Sequence, residues 1–228
     1  MANAALKQNG KKNKPAETLK ANNSKDKSVS GNLKRVGSKP GGSRVPSPHL
    51  YQNSREIQQF GEIVELPNGL SKDTCTKSVA ALNQILSDTM TLRDMYKKHH
   101  WQVVGPTFSQ LHLLYDKHFE EQSALVDTLA ERIQLLGGLS VAMAADVAEM
   151  TQIARLPKGR EEAPVQLARL LAAHELIMKD ARKSSDHAND NGDPGTNDVL
   201  VSEVLRTGEL QSWFLSEHLV NTPLIDAN

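Results

Sequence analysis

Five side chains near the middle of the chain have the types and spacing of a metal site: His100, His112, Asp116, Asp127 and Glu131. Imidazole and carboxylate together, with open positions left over, suit Fe(II). Di-iron sites inside helix bundles commonly use Glu-x-x-His, which puts both ligands on one helix face. The sequence has eight histidines, and none has Glu three residues before it. An ordinary di-iron centre within one chain is therefore not expected. His112 and Asp116 are four residues apart, as are Asp127 and Glu131. On a helix all four fall within a sector of about 100° and share one face. Asp116 and Asp127 are nevertheless about 16 Å apart along the axis, too far to grip one ion at ligand distances of about 2 Å. The two half-sites could meet if a second copy packed antiparallel across this face, and a two-fold axis would then build two identical sites. A His-x-x-x-Asp pair by itself is more often a solvated helix face, and His118, His174, His187 and His218 are read as surface or core residues. Glu120-Glu121 reads as surface, with an iron-nucleating patch as the alternative.

These residues must be carried by helices. Ser71 is a plausible N-cap, and Leu82, Ile85, Leu86, Leu92 and Tyr96 follow at helical spacing with Thr89 on the same side. This first helix runs to about Gln102 and stops before Gly105-Pro106. Thr107 and Gln110 form a T-x-x-Q capping box for a second helix, which carries Leu111, Leu114, Tyr115, Leu129, Ile133 and Leu136 and ends at Gly137-Gly138. A short helical segment fits 141–150. A third long helix spans about 162–188 through Val165, Leu167, Leu170, Leu171, Leu176 and Ile177, with Pro164 tolerated in its first turn. After the loop NDNGDPG, Thr196 is expected to cap a fourth helix carrying Val199, Val204, Leu205, Leu210, Trp213, Phe214 and Leu219. Four long helices with one longer central connection imply an all-α four-helix bundle with a short helix in the crossover. The bundle is placed at 71–222, after a transition segment at 51–70 that should pack loosely on it, and before a short tail at 223–228.

The zero net charge hides an asymmetry. Residues 1–50 hold eleven Lys/Arg and two Asp/Glu, a net of +9, so the remainder carries −9. The basic stretch is rich in Lys, Asn, Ser, Gly and Pro and has almost no apolar spacing, which predicts a disordered arm. Such an arm suits a polyanion, bound through phosphate contacts and counterion release; with no aromatic residue before Tyr51 it offers no base stacking. A solubility tail is the plainer reading of the same composition. An acidic body draws cations. Cys75 is the one cysteine, read as an inert small residue, and it excludes an intrachain disulfide. No signal-peptide core and no apolar run of about 18 residues is present, so a protein of the cytoplasm that does not span a membrane is expected.

The stretch His100-Trp101-Gln102-Val103-Val104-Gly105-Pro106-Thr107-Phe108 resembles part of the signature of the Dps family, the miniferritins or DNA-binding proteins of starved cells. So do Leu111-His112 and Asp116, then Asp127-x-x-Ala130-Glu131-Arg132, then Leu136-Gly137-Gly138, over about residues 71–222 in all. The resemblance implies a ferritin-like fold and a hollow homo-dodecamer with iron-oxidising sites at two-fold interfaces. His100, His112 and Asp116 would come from one subunit and Asp127 and Glu131 from its neighbour. It further implies oxidation of Fe(II), with hydrogen peroxide as oxidant, mineral storage in the cavity, protection against oxidative stress and a location on the bacterial nucleoid. The basic arm is similar to the Lys-rich extensions with which some members bind DNA. His99 is a possible substitute for His100, which only the match to the His-Trp pair favours. Trp101 would lie beside the iron, or serve as interface packing. A site involving His49 is left open, as is a rival function: nucleoid packing with a vestigial iron site.

Overall fold

The computed structural model describes residues 56–221; the arm at 1–50, His49 and the tail at 223–228 lie outside the described residues. Among the described residues every regular element is helical. The order is α1 (Lys72–Gln102), α2 (Phe108–Leu135), α3 (Ala144–Met150), α4 (Ala163–Asp190), then α5 (Pro194–Asp198), a π-helical turn pair (Val199–Leu205) and α6 (Arg206–Glu217), which run on as one fourth long helix. α1, α2, α4 and this last helix form a four-helix bundle, and α3 lies in the crossover between α2 and α4. Leu82, Ile85, Leu86, Leu92, Tyr96, Leu111, Tyr115, Leu129, Ile133, Leu170 and Leu200 are wholly buried at its centre.

Local chemistry fixes the ends. Ser71 Oγ accepts the Thr74 amide at 3.1 Å and caps α1. The expected capping box on α2 does not form. Thr107 adopts φ −95°, ψ 14°, close to helical and not extended, so its hydroxyl makes no cap bond. The last helix is capped by Asp193 and not by Thr196. The carboxylate accepts the Thr196 amide at 3.0 Å, Pro194 occupies the first turn, and Thr196 Oγ1 instead accepts from Arg132 Nε at 3.1 Å. The crossover helix begins at Ala144 because the Val141 amide is taken by the Asn83 side chain at 2.8 Å. Asp88, fully buried, holds the far end of the crossover by accepting from Thr151 Oγ1 and the Gln152 amide, both at 2.7 Å.

Two readings of the apolar pattern are corrected. Val165 faces solvent, and so do Leu210, Trp213, Phe214 and Leu219; Val204 and Leu205 are buried as expected, together with Leu200, Gly208, Gln211 and Leu215. A π-helical segment inserts extra chain, and each extra residue turns the face beyond it by about 100°. A strict 3.6-residue period read through 199–205 therefore picks the wrong side of α6.

The described part of the transition segment is tied down mainly by hydrogen bonds. The Val64 amide and Gln58 Nε2 both donate to the Gly137 carbonyl, at 2.9 and 3.0 Å, and Asn68 Nδ2 donates to the Leu135 carbonyl at 3.2 Å. Gly137 ends α2 at φ +81°, and a Cβ there would lie 1.9 Å from the Val64 carbonyl oxygen. Only glycine allows the segment this close.

Candidate metal centre

The hairpin between α1 and α2 brings His100, His112 and Asp116 together. His100 Nδ1 donates to the His112 carbonyl at 2.8 Å, and His112 Nδ1 donates to the His100 carbonyl at 2.9 Å. A carbonyl can only accept, so each ring carries a proton on Nδ1. In the neutral imidazole this leaves the Nε2 lone pair of both rings for a metal. The rings stack at a centroid distance of 3.8 Å, and Phe108 stacks on His112 at 5.1 Å. The pair is therefore held rigidly before any ion arrives.

Asp116 lies one turn beyond His112, with Oδ1 3.8 Å from His100 Nδ1. Its other neighbour is Lys97, whose ammonium is 2.6 Å from the same oxygen and 4.3 Å from the centre of the Phe119 ring. The Lys97 hydrogen bond, aided by the charges of Lys97 and the two imidazoles, holds the Asp116 carboxyl below its ordinary range. Lys97 was not singled out from sequence. The available signal was its position three residues before His100, on the same helix face.

Asp127 and Glu131 are exposed further along α2 and are not brought to the histidine pair. Among the described residues, no three His, Cys, Asp or Glu side chains gather into a metal-holding group within the single chain. Around these half-sites the surface is apolar: Trp101 is 70% exposed, Leu113 68%, and Val104, Phe108 and Leu135 are exposed as well.

His99 points the other way. It is fully buried, packs against Tyr115 at 6.2 Å, and has neither ring nitrogen hydrogen-bonded. Burial pulls its pKa down to about 4. It belongs to the bundle interior and does not share the face of His100. His118 and His174 are core residues flanking Tyr96, while His187 and His218 lie on the surface. Glu120 is exposed, and Glu121 is held by Lys117 and by Gln211 Nε2 at 2.8 Å. Arg132, next to Glu131, turns inward. It bonds Asp193 at 2.5 Å and Thr196, and so locks α2 against the start of α5.

None of the described helices is long and apolar enough to cross a membrane.

A family model described as a ferritin-like domain matches residues 79–225. Among solved structures, DpsC from Streptomyces coelicolor is 53% identical, with a TM-score of 0.75, covering 75% of this chain and all of that one. Dps from Thermosynechococcus elongatus is 30% identical, with a TM-score of 0.63, over 68% of this chain and 99% of that one. A DNA protection during starvation protein of Agrobacterium fabrum is 27% identical over 152 residues, 67% of this chain and 93% of its own length.

Proposed function

The chain belongs to the Dps family of ferritin-like proteins, and from that premise we propose that it oxidises Fe(II) to Fe(III) at sites shared between two copies and stores the product as mineral inside a hollow dodecamer. The observation that carries this reading is the mutual bonding of His100 and His112. It leaves the Nε2 lone pair of each ring free, on the same hairpin as Asp116, with a second acidic pair about 16 Å away along α2.

In this reading Asp127 and Glu131 come from a second copy packed antiparallel on α2. The exposed Trp101, Val104, Phe108, Leu113 and Leu135 supply an apolar surface for that contact. The carboxylates of Asp116, Asp127 and Glu131 stabilise the higher charge of Fe(III) more than that of Fe(II), and the imidazoles complete the coordination. Asp116 stays ionised and trades Lys97 for the metal. Hydrogen peroxide is the oxidant we assign. The basic arm at 1–50 binds DNA through phosphates without reading sequence; the Agrobacterium relative is itself named for DNA protection during starvation.

The test is anaerobic loading with Fe(II), then hydrogen peroxide, following absorbance and the ratio of iron to protein. Rapid oxidation with many irons retained per shell is expected. Oxidation no faster than in buffer would overturn the reading.

A further inference from the structure

Behind the proposed iron site, the bundle core holds a hydrogen-bonded group that the site chemistry leaves unused. Tyr96 on α1 is completely buried. Its hydroxyl is 2.6 Å from His174 Nε2 on α4 and 3.2 Å from His118 Nδ1 on α2. Both imidazoles meet the phenol ring edge-on, with centroids 5.9 and 5.2 Å away. A phenol has one proton to give. The shorter contact assigns it to His174, while His118 donates to the phenol oxygen. Burial pulls the pKa of His174 down to about 3, so its ring is neutral and Nε2 can accept.

Tyr96 lies four residues before His100 on α1, about 6 Å along the axis. Tyr115 precedes Asp116 and sits 6.1 Å from Tyr96, ring centre to ring centre. The two tyrosines differ in one decisive respect. The Tyr115 hydroxyl is buried and has no hydrogen-bond partner, so it has nowhere to send a proton. Tyr96 has a base at hydrogen-bond distance. An oxidised phenol is a very strong acid, and in a dry core its oxidation needs an acceptor already in place.

We propose that Tyr96 is a redox-active tyrosine that stores one oxidising equivalent for the iron site, with His174 Nε2 holding its proton. This rests on the iron-oxidising reading above. The step balances as follows. One Fe(II) reacting with hydrogen peroxide gives Fe(III), hydroxide and a hydroxyl-radical-level one-electron oxidant. Tyr96 gives that oxidant an electron, which makes a second hydroxide. The phenolic proton crosses to His174 Nε2, leaving a neutral phenoxyl beside a protonated imidazole. A second Fe(II) then returns an electron, the proton goes back, and Tyr96 is restored. The sum is two Fe(II) and one peroxide giving two Fe(III) and two hydroxides, with no radical released.

The test is rapid-freeze electron paramagnetic resonance on the assembled full-length protein, loaded anaerobically with less than one Fe(II) per site and mixed with hydrogen peroxide. Iron oxidation is followed in a parallel sample. A tyrosyl signal that narrows when ring-deuterated tyrosine is incorporated is expected, and it should vanish on adding more Fe(II). The chain has three tyrosines, so Tyr51→Phe/Tyr115→Phe leaves Tyr96 alone and untouched, and should keep the signal. Tyr96→Phe should lose it, and His174→Gln, which lacks the base, should lower its yield at least several-fold. A signal carried by Trp101, or lost in Tyr51→Phe/Tyr115→Phe, overturns the assignment. So does iron oxidation with no tyrosyl signal, which leaves the iron reading standing. Failure to oxidise iron overturns that reading and this one with it.

Discussion

His100 and His112 hold each other in place: each Nδ1 donates to the other residue's main-chain carbonyl, across the turn joining α1 to α2, and the rings stack at 3.8 Å. The donors are side chains and the acceptors are backbone. Replacing one ring therefore removes the stacking and leaves one carbonyl without its partner, while the other ring keeps its own bond to the backbone. The histidine half-site acts as a unit, separate from Asp127 and Glu131.

This separation makes complementation the sharpest check on a shared site. His112→Ala and Asp127→Ala should each oxidise iron slowly when assembled alone. Mixed in one shell, random pairing makes half of the two-fold contacts hybrid, and each hybrid contact has one intact site and one doubly damaged site. The peroxide-driven rate should recover to about a quarter of the unmodified protein's. Stopped-flow absorbance on co-refolded subunits reads this directly. No recovery at all would show that both halves must lie in one chain.

The Gly137 approach to Val64 gives a test of how the segment leading from the arm is held. Gly137 and Gly61 both have positive φ, +81° and +89°, but a Cβ at Gly61 meets nothing within 4 Å, while one at Gly137 meets the Val64 carbonyl at 1.9 Å. Gly61→Ala should cost about 1–2 kcal/mol at most, the penalty of the left-handed conformation alone. Gly137→Ala should cost visibly more and expel the segment. Calorimetric midpoints rank the two, and hydrogen exchange at the Val64 amide should speed up only in Gly137→Ala. Equal effects of the two changes would mean that the contact does not hold the segment.

Acid should destabilise the fold in a definite window. Burial lowers the pKa values of His99 and His118 to about 4 and of His174 to about 3, from an ordinary 6.5. Below pH 6.5 the unfolded chain takes up protons that the folded chain refuses, so stability rises with pH across this range. The loss should set in as pH falls through 6.5 and continue down to about 4. Thermal midpoints recorded from pH 7.5 to 4 should decline with a slope that shrinks in His174→Gln. A flat profile above pH 5 would count against buried neutral histidines.

The fold and the histidine face were legible in the sequence because both rest on local periodicity. Leu82, Ile85, Leu86 and Leu92 on α1, and Leu111, Tyr115, Leu129 and Ile133 on α2, repeat at helical spacing, and all are buried. The axial argument from Asp116 to Asp127 needs only helix rise, and the single chain does keep the two apart. What failed was non-local. The π-helical turns at 199–205 depend on packing against α4, so Trp213 and Phe214 looked like core and are exposed. Thr196 looked like a cap, but Asp193 accepts its amide, and the same carboxylate is anchored by Arg132 sixty-one residues away in sequence. The Lys97–Asp116 pair and the Tyr96–His174 bond link residues 19 and 78 positions apart, and one-dimensional spacing shows neither.

DNA binding should follow charge. Residues 1–50 carry +9 and the remainder −9, so the body should repel a polyanion that the arm attracts. One arm makes phosphate contacts that are individually weak. Many arms on one shell act at high effective concentration, so avidity can raise affinity by about 10²–10⁴ without any new kind of contact. Binding should be indifferent to base sequence and should fall steeply with salt, linearly in a log–log plot, because each neutralised phosphate releases counterions. Deleting residues 1–50 should abolish gel retardation while leaving peroxide-driven iron oxidation and the size of the assembled particle unchanged, since Val64 and Asn68, which tie the chain to the end of α2, are retained. Particle size is checked by light scattering on the same sample, which separates loss of binding from loss of assembly. If the truncated, intact shell still retards DNA at the same concentration and salt, the arm is a solubility tail and another surface binds.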